Sequence, residues 1–111
     1  MDLLNVYNDY KSINKDIIDY LNKILSDNTL LESKASVENS ISKLISDMEE
    51  IKATADSIII NDQDKDNLND LKYLIHSTLF LLGDLEHFYK INELSRFRMR
   101  AVNYINHARR K

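Results

Sequence analysis

The sequence contains no cysteine and no proline, and its single glycine is Gly83. Without cysteine, disulfides and thiolate metal sites are excluded, and packing alone must hold the core together. Without proline, and with one glycine, the chain lacks the turn chemistry that hairpins and sheets need. Long apolar runs are missing too: the longest, Leu79 to Gly83, is far too short to cross a bilayer. The first residues, MDLLNVYNDYKS, show no basic stretch ahead of an apolar one and no small-residue cleavage site. No export signal and no membrane association are therefore expected, and a cytoplasmic location follows. Gly-rich phosphate loops and nucleophile elbows are also absent, so the expected cofactor and metal content is none.

What is present defines a helical protein. The 111 residues are 43% hydrophobic and 30% charged, too apolar for a disordered chain and too charged for a membrane span. One domain spanning 1–111 is expected, burying somewhat more than about 60% of the surface its unfolded form exposes. Charge is unevenly placed. All five arginines, Arg96, Arg98, Arg100, Arg109 and Arg110, fall in segment 96–111 together with Lys111 and no acid, whereas residues 1–95 carry nine lysines against eighteen acids. An acidic body thus carries a basic end.

Apolar residues recur at alternating three- and four-residue spacing, which keeps one face of a helix buried. The first such stripe is Leu3, Val6, Tyr10, Ile13, Ile17, Tyr20 and Ile24, widened by Leu4, Tyr7, Ile18, Leu21 and Leu25. It should end near Ser26 to Thr29, where Thr29 and Glu32 have the spacing of a capping box. The second stripe, Val37, Ile41, Leu44, Met48, Ile51, Ala55 and Ile58, holds the alternation without a miss. It ends where Ile58, Ile59 and Ile60 crowd three β-branched residues together. A third runs through Leu68, Leu71, Ile75, Leu79, Leu82, Leu85 and Tyr89, with Leu74, Phe80, Leu81 and Phe88 beside it, so this helix should be the most enclosed. Gly83 within it suggests a close helix crossing or a bend.

After Ile91 the apolar phase slips to Leu94, Phe97, Ala101, Tyr104, Ile105 and Ala108. A separate fourth helix after a turn near Asn92 is the favoured reading, with one long helix as the alternative. The expected fold is all-α: an antiparallel, coiled-coil-like bundle of three long helices plus a basic C-terminal helix, either fourth member or overhang.

The stretch INDQDKDNLNDL, residues 61–72, sets Asp62, Asp64, Asp66 and Asp70 at positions 1, 3, 5 and 9 of a calcium loop. The sixth position is Asn67 where glycine belongs, the eighth is Asn69 where an apolar residue belongs, and the twelfth is Tyr73 where the bidentate Glu belongs. A helix start explains the same residues better, because Asn or Asp caps free amides and carboxylates favour the first turn.

On a helical wheel Arg96, Arg100, Asn103, His107, Arg110 and Lys111 fall within one arc opposite the apolar stripe, forming a basic ribbon. Such a ribbon attracts phosphates or an acidic protein surface, with Tyr104 and Phe97 placed to stack on bases; it also suits a solvated face. Arg98 and Arg109 project toward the apolar edge, where pairing with Asp84 or Glu86 is expected. Arg100 precedes His107 by two helical turns in RAVNYINH, and a cation beside an acid–base imidazole suits phosphodiester cleavage.

That spacing is similar to the short Arg and His motif of HEPN-type helical ribonucleases. The likeness covers eight residues and departs where Ala101 stands in place of a polar residue. It implies RNA cleavage with Arg100 and His107 as the catalytic pair. His76, among apolar neighbours, reads as a half-buried structural histidine rather than a phosphorelay site. Asp84 with His87 is one imperfect fragment of the paired spacing a di-iron bundle needs.

The leading functional expectation is a non-enzymatic, protein-binding bundle of chaperone, adaptor or inhibitor type. It would use a helix groove or the ribbon of Arg96, Arg100, Asn103, Tyr104, His107, Arg110 and Lys111. The unpaired apolar width of the first helix, with Leu4 and Tyr7, also allows a homodimer. Nucleic-acid binding through the ribbon is the alternative.

Overall fold

The computed structural model describes residues 3–26 and 34–109, with side chains placed for 3–26 and 36–108. Four helices follow one another: α1 (Leu3–Ser26), α2 (Lys34–Ser57), α3 (Lys65–Lys90) and α4 (Leu94–Arg109), with a 3₁₀ turn at Asp62–Asp64. No strand occurs among the described residues. The Thr29–Glu32 capping box lies outside them.

Cross-helix pairs fix the directions. Asp56 near the end of α2 lies 3.7 Å from Lys72 near the start of α3, while Ser42 early in α2 donates to Glu86 late in α3 at 3.3 Å. These helices are antiparallel. Arg100 on α4 meets Asp84 on α3 at 3.2 Å, and the rings of Phe97 and Tyr89 stand 5.7 Å apart, so α4 also folds back along α3. The hydroxyl of Tyr104 donates to Oδ1 of Asn14, which closes the ring against α1. Helix α4 is thus the fourth member of an up-down-up-down bundle with extents of 48 × 27 × 19 Å.

The stripes read from the sequence form the core. Val6, Ile17, Leu21 and Ile24 from α1, Val37, Ile41 and Met48 from α2, Ile75, Leu81, Leu82 and Leu85 from α3, and Phe97 and Ala101 from α4 are all but inaccessible. Past the end of α2, Ile58 and Ile60 pack on the core while Ile59 is 98% exposed. Alternate residues of this extended connection thus point opposite ways.

Both local punctuation marks follow from short polar side chains. Asn61 caps the 3₁₀ turn, its Oδ1 accepting from the amide of Asp64 at 3.2 Å. Residues 62–66 therefore have helical backbone rather than that of an ion-wrapping loop. At the other end of α3, Asn92 takes a left-handed conformation at φ 62°. Its amide donates to the Tyr89 carbonyl at 3.2 Å and the Glu93 amide to the Phe88 carbonyl at 2.8 Å. This is the Schellman arrangement, and asparagine tolerates its left-handed position better than most residues. The Glu93 carbonyl then accepts the amide of Phe97 at 3.0 Å, starting α4 at once. The phase slip near Asn92 marks this reversal.

Two expectations for α3 are corrected. Phe80 does not join the core: it is 73% exposed, on the same outer face as Tyr73 at 71%. Gly83 permits no close crossing, because it is exposed and a Cβ built on it meets nothing within 4 Å. Its helical position carries only the entropic disadvantage of glycine, so Gly83→Ala is expected to stabilise the protein by about 1 kcal/mol in urea unfolding. A loss of stability would show a neighbour the geometry lacks.

Candidate functional site

Helix α3 has 26 residues and α4 only 16. Helices α1 and α3 run in the same direction, Leu3 and Leu4 lying by Asp70 and Leu71 and Tyr10 by Thr78, and α4 occupies the groove between them. Beyond the last described turn of α4, the N-terminal part of that groove has an apolar lining. A cavity of about 550 Å³ lies there, lined by the buried or half-buried Leu3, Leu71 and Leu74, the exposed Leu4 and Tyr7, and Asp64, Asn67 and Asp70 along the α3 wall. Leu4 is 64% exposed although it stands beside these apolar neighbours.

Tyr7 and Leu74 also belong to a second, adjoining crevice of about 570 Å³ where α4 meets α1 and α3. Its polar lining includes Lys11, Asn14, Arg100, Asn103, Tyr104 and His107. The Lys11 ammonium sits 5.3 Å from the centre of the Tyr7 ring, where the aromatic face attracts it. At the crevice floor Tyr10 and Thr78 share a hydrogen bond at 3.2 Å, and the Thr78 hydroxyl also donates to the Leu74 carbonyl at 2.9 Å. Burial is the main cause that pushes the Tyr104 hydroxyl up to about 12, and it raises the Tyr10 hydroxyl as well. These hydroxyls therefore act as neutral hydrogen-bonding groups, tying α1, α3 and α4 together.

The ribbon read from the sequence is divided by this geometry. Arg100, Asn103, Tyr104 and His107 line one crevice, so the Arg100 and His107 pair does share a wall. Arg96 lies elsewhere, exposed and 3.7 Å from Glu93. Arg110, Lys111 and the side chain of Arg109 lie outside the described residues.

Asp84 pairs with Arg100, not with Arg98, and Glu86 is engaged by Lys90 at 3.6 Å and by Ser42. Which flank of α4 faces Asp84 depends on where α3 sits, and a single-helix wheel does not contain that information. Phe97 is 0% exposed against Tyr89, so it has no face to offer a base. His76 is exposed rather than half-buried, beside Phe80 and Gly83, and His87 is exposed with its ring 6.0 Å from Phe88.

Lys11 and Asn14 were not singled out by the sequence pattern, and Asp64 and Asp70 were weighed only as calcium-loop positions and assigned to a helix start. One signal was available: Tyr10 and Thr78 place hydroxyls inside apolar stripes, and buried hydroxyls need partners. Among the described residues no group of three or more His, Asp or Glu side chains is arranged to hold a metal ion, and no helix is long and apolar enough to cross a membrane. Comparison with protein-family models, curated proteins and solved structures finds no match to this chain.

Proposed function

We propose that this chain works by binding a segment of another protein in the open part of the α1/α3 groove. The observation that supports this reading is the apolar trough of about 550 Å³ beyond the end of α4, with Leu4 and Tyr7 exposed on its edge. Apolar grooves between helices take the apolar face of an amphipathic helix, read as anchors three and four residues apart. A chaperone, an adaptor or an inhibitor would each use such a groove.

A second reading is favoured by one observation: Arg100 and His107 line the adjoining crevice with Lys11 and the rings of Tyr7 and Tyr73. That grouping suits single-stranded RNA, bound or cleaved, although Asp84 already engages the guanidinium. One experiment separates the two. Peptides selected from a displayed library against the protein are rescreened on Leu4→Glu, with single-stranded RNA as a parallel ligand at low and moderate salt. The expected result is enrichment of peptides with three- and four-residue apolar spacing that lose about tenfold or more in affinity on Leu4→Glu. Enrichment of nothing, or RNA binding that ignores Leu4→Glu and falls steeply with salt, contradicts it.

A further inference from the structure

The open groove is electrically polarised. Its α3 wall carries Asp64 and Asp70, neither with an ion-pair partner among the described residues, with exposed Lys65 and Asp66 next to Asp64 in sequence. The adjoining crevice carries Lys11, Arg100 and His107. Arg100 is already held by Asp84, while the Lys11 ammonium lies over the Tyr7 ring. A bound helix therefore meets the Lys11 ammonium at the end next to α4 and the Asp70 and Asp64 carboxylates further out.

Resting on the proposed function, we infer that the occupant is an amphipathic helix of about ten residues, roughly 15 Å, acidic in its first turn and basic in its last. It lies beyond the last described turn of α4 and runs in the same direction as α4, antiparallel to α1 and α3. Its length matches the stretch of the α3 wall from Asp64 to Leu74 that lines the trough. Two arguments converge on its direction. Acids in a first turn and bases in a last turn are what a helix macrodipole favours, so the sequence that complements the groove also forms the better helix. Antiparallel packing against both walls repeats the relation α4 already has with α1 and α3. A helix inserted the other way would place its basic end on Lys11 and its acidic end on Asp64 and Asp70, which repels at both ends.

A short segment is not a stable helix in water, so the test uses two helix-stapled peptides with the same apolar spacing. One is acidic first and basic last, the other the reverse. Each carries a spin label at its N-terminus and is titrated into the isotope-labelled protein.

The acidic-first peptide is expected to bind about tenfold tighter, the sum of modest exposed charge pairs and dipole effects. Its label should broaden Lys11 and His107 rather than Asp64 and Asn67. In the double variant Lys11→Glu, Asp70→Lys, both sites being exposed, the preference should disappear or invert. Equal affinity of the two peptides, or an unchanged preference in the double variant, overturns the stated direction while leaving groove binding intact. If neither peptide binds, the proposed function and the inference both fail. If the protein instead dimerises, with Leu4 and Tyr7 protected in the dimer, a second copy fills the groove and the inference is overturned.

Discussion

Replacing Phe97 with alanine is expected to lower the free energy of unfolding by about 3–5 kcal/mol, the range for a large aromatic side chain removed from a core. Phe97 is 0% exposed, on the first turn of α4, with its ring tilted 59° against that of Tyr89. The other buried positions on α4 are Ala101 and Ile105, with Leu94 and Tyr104 partly buried against the core. Phe97 is therefore the largest fully buried side chain that α4 contributes. For a domain of this size the total stability is about 5–15 kcal/mol, so the loss is a large part of the whole. Amide exchange should show the effect first in 94–109, with protection of α1–α3 retained longer, because their mutual packing does not pass through Phe97. Phe97→Leu, which keeps most of the volume, should lose much less. Equal exchange throughout the chain in Phe97→Ala would mean that α4 is not a separately anchored member.

Raising the pH should destabilise the protein through Tyr104. In the unfolded chain a tyrosine hydroxyl ionises near 10, while burial holds Tyr104 to about 12 in the fold. The fold thus favours the protonated form, so the stability gained is complete below pH 10 and is lost as pH climbs from 10 toward 12. A difference of this size is on the order of 2–3 kcal/mol. Tyr10, raised by the same burial and bonded to Thr78, adds in the same direction. Denaturant unfolding followed from neutral pH to about pH 12, alongside tyrosinate absorbance, measures this directly. In Tyr104→Phe the wild-type fall in stability should be markedly shallower, even though the bond to Asn14 is gone. Stability of the wild type unchanged across that window, or an identical slope in the variant, contradicts the buried hydroxyl cluster.

The helices were legible in the sequence because each buries a face whose period is its own, and Val37 to Ala55 is the plainest case. The helix start within 61–72 and the turn near Asn92 were legible for a similar reason: capping and turn chemistry are local. What lay beyond reach were facts about neighbours. Phe80 looks like a core residue until the side of α3 not covered by another helix is known, and it is left 73% exposed. Arg98 and Arg100 differ on the wheel, yet only the placement of α3 assigns Asp84 to Arg100. The groove lies between these cases. The excess apolar width of Leu4 and Tyr7 was visible, but placing it beside a trough required α4 to be the fourth member of the bundle.

That α4 folds back along α1 and α3 as the fourth member of the bundle is the claim on which the rest depends, and proton–proton contacts measured by NMR in the free protein test it most directly. The account predicts contacts from the Tyr104 ring to Tyr10, Asn14 and Thr78. An α4 without contacts to α1, or one continuing α3 in a single straight helix through Asn92, would contradict it.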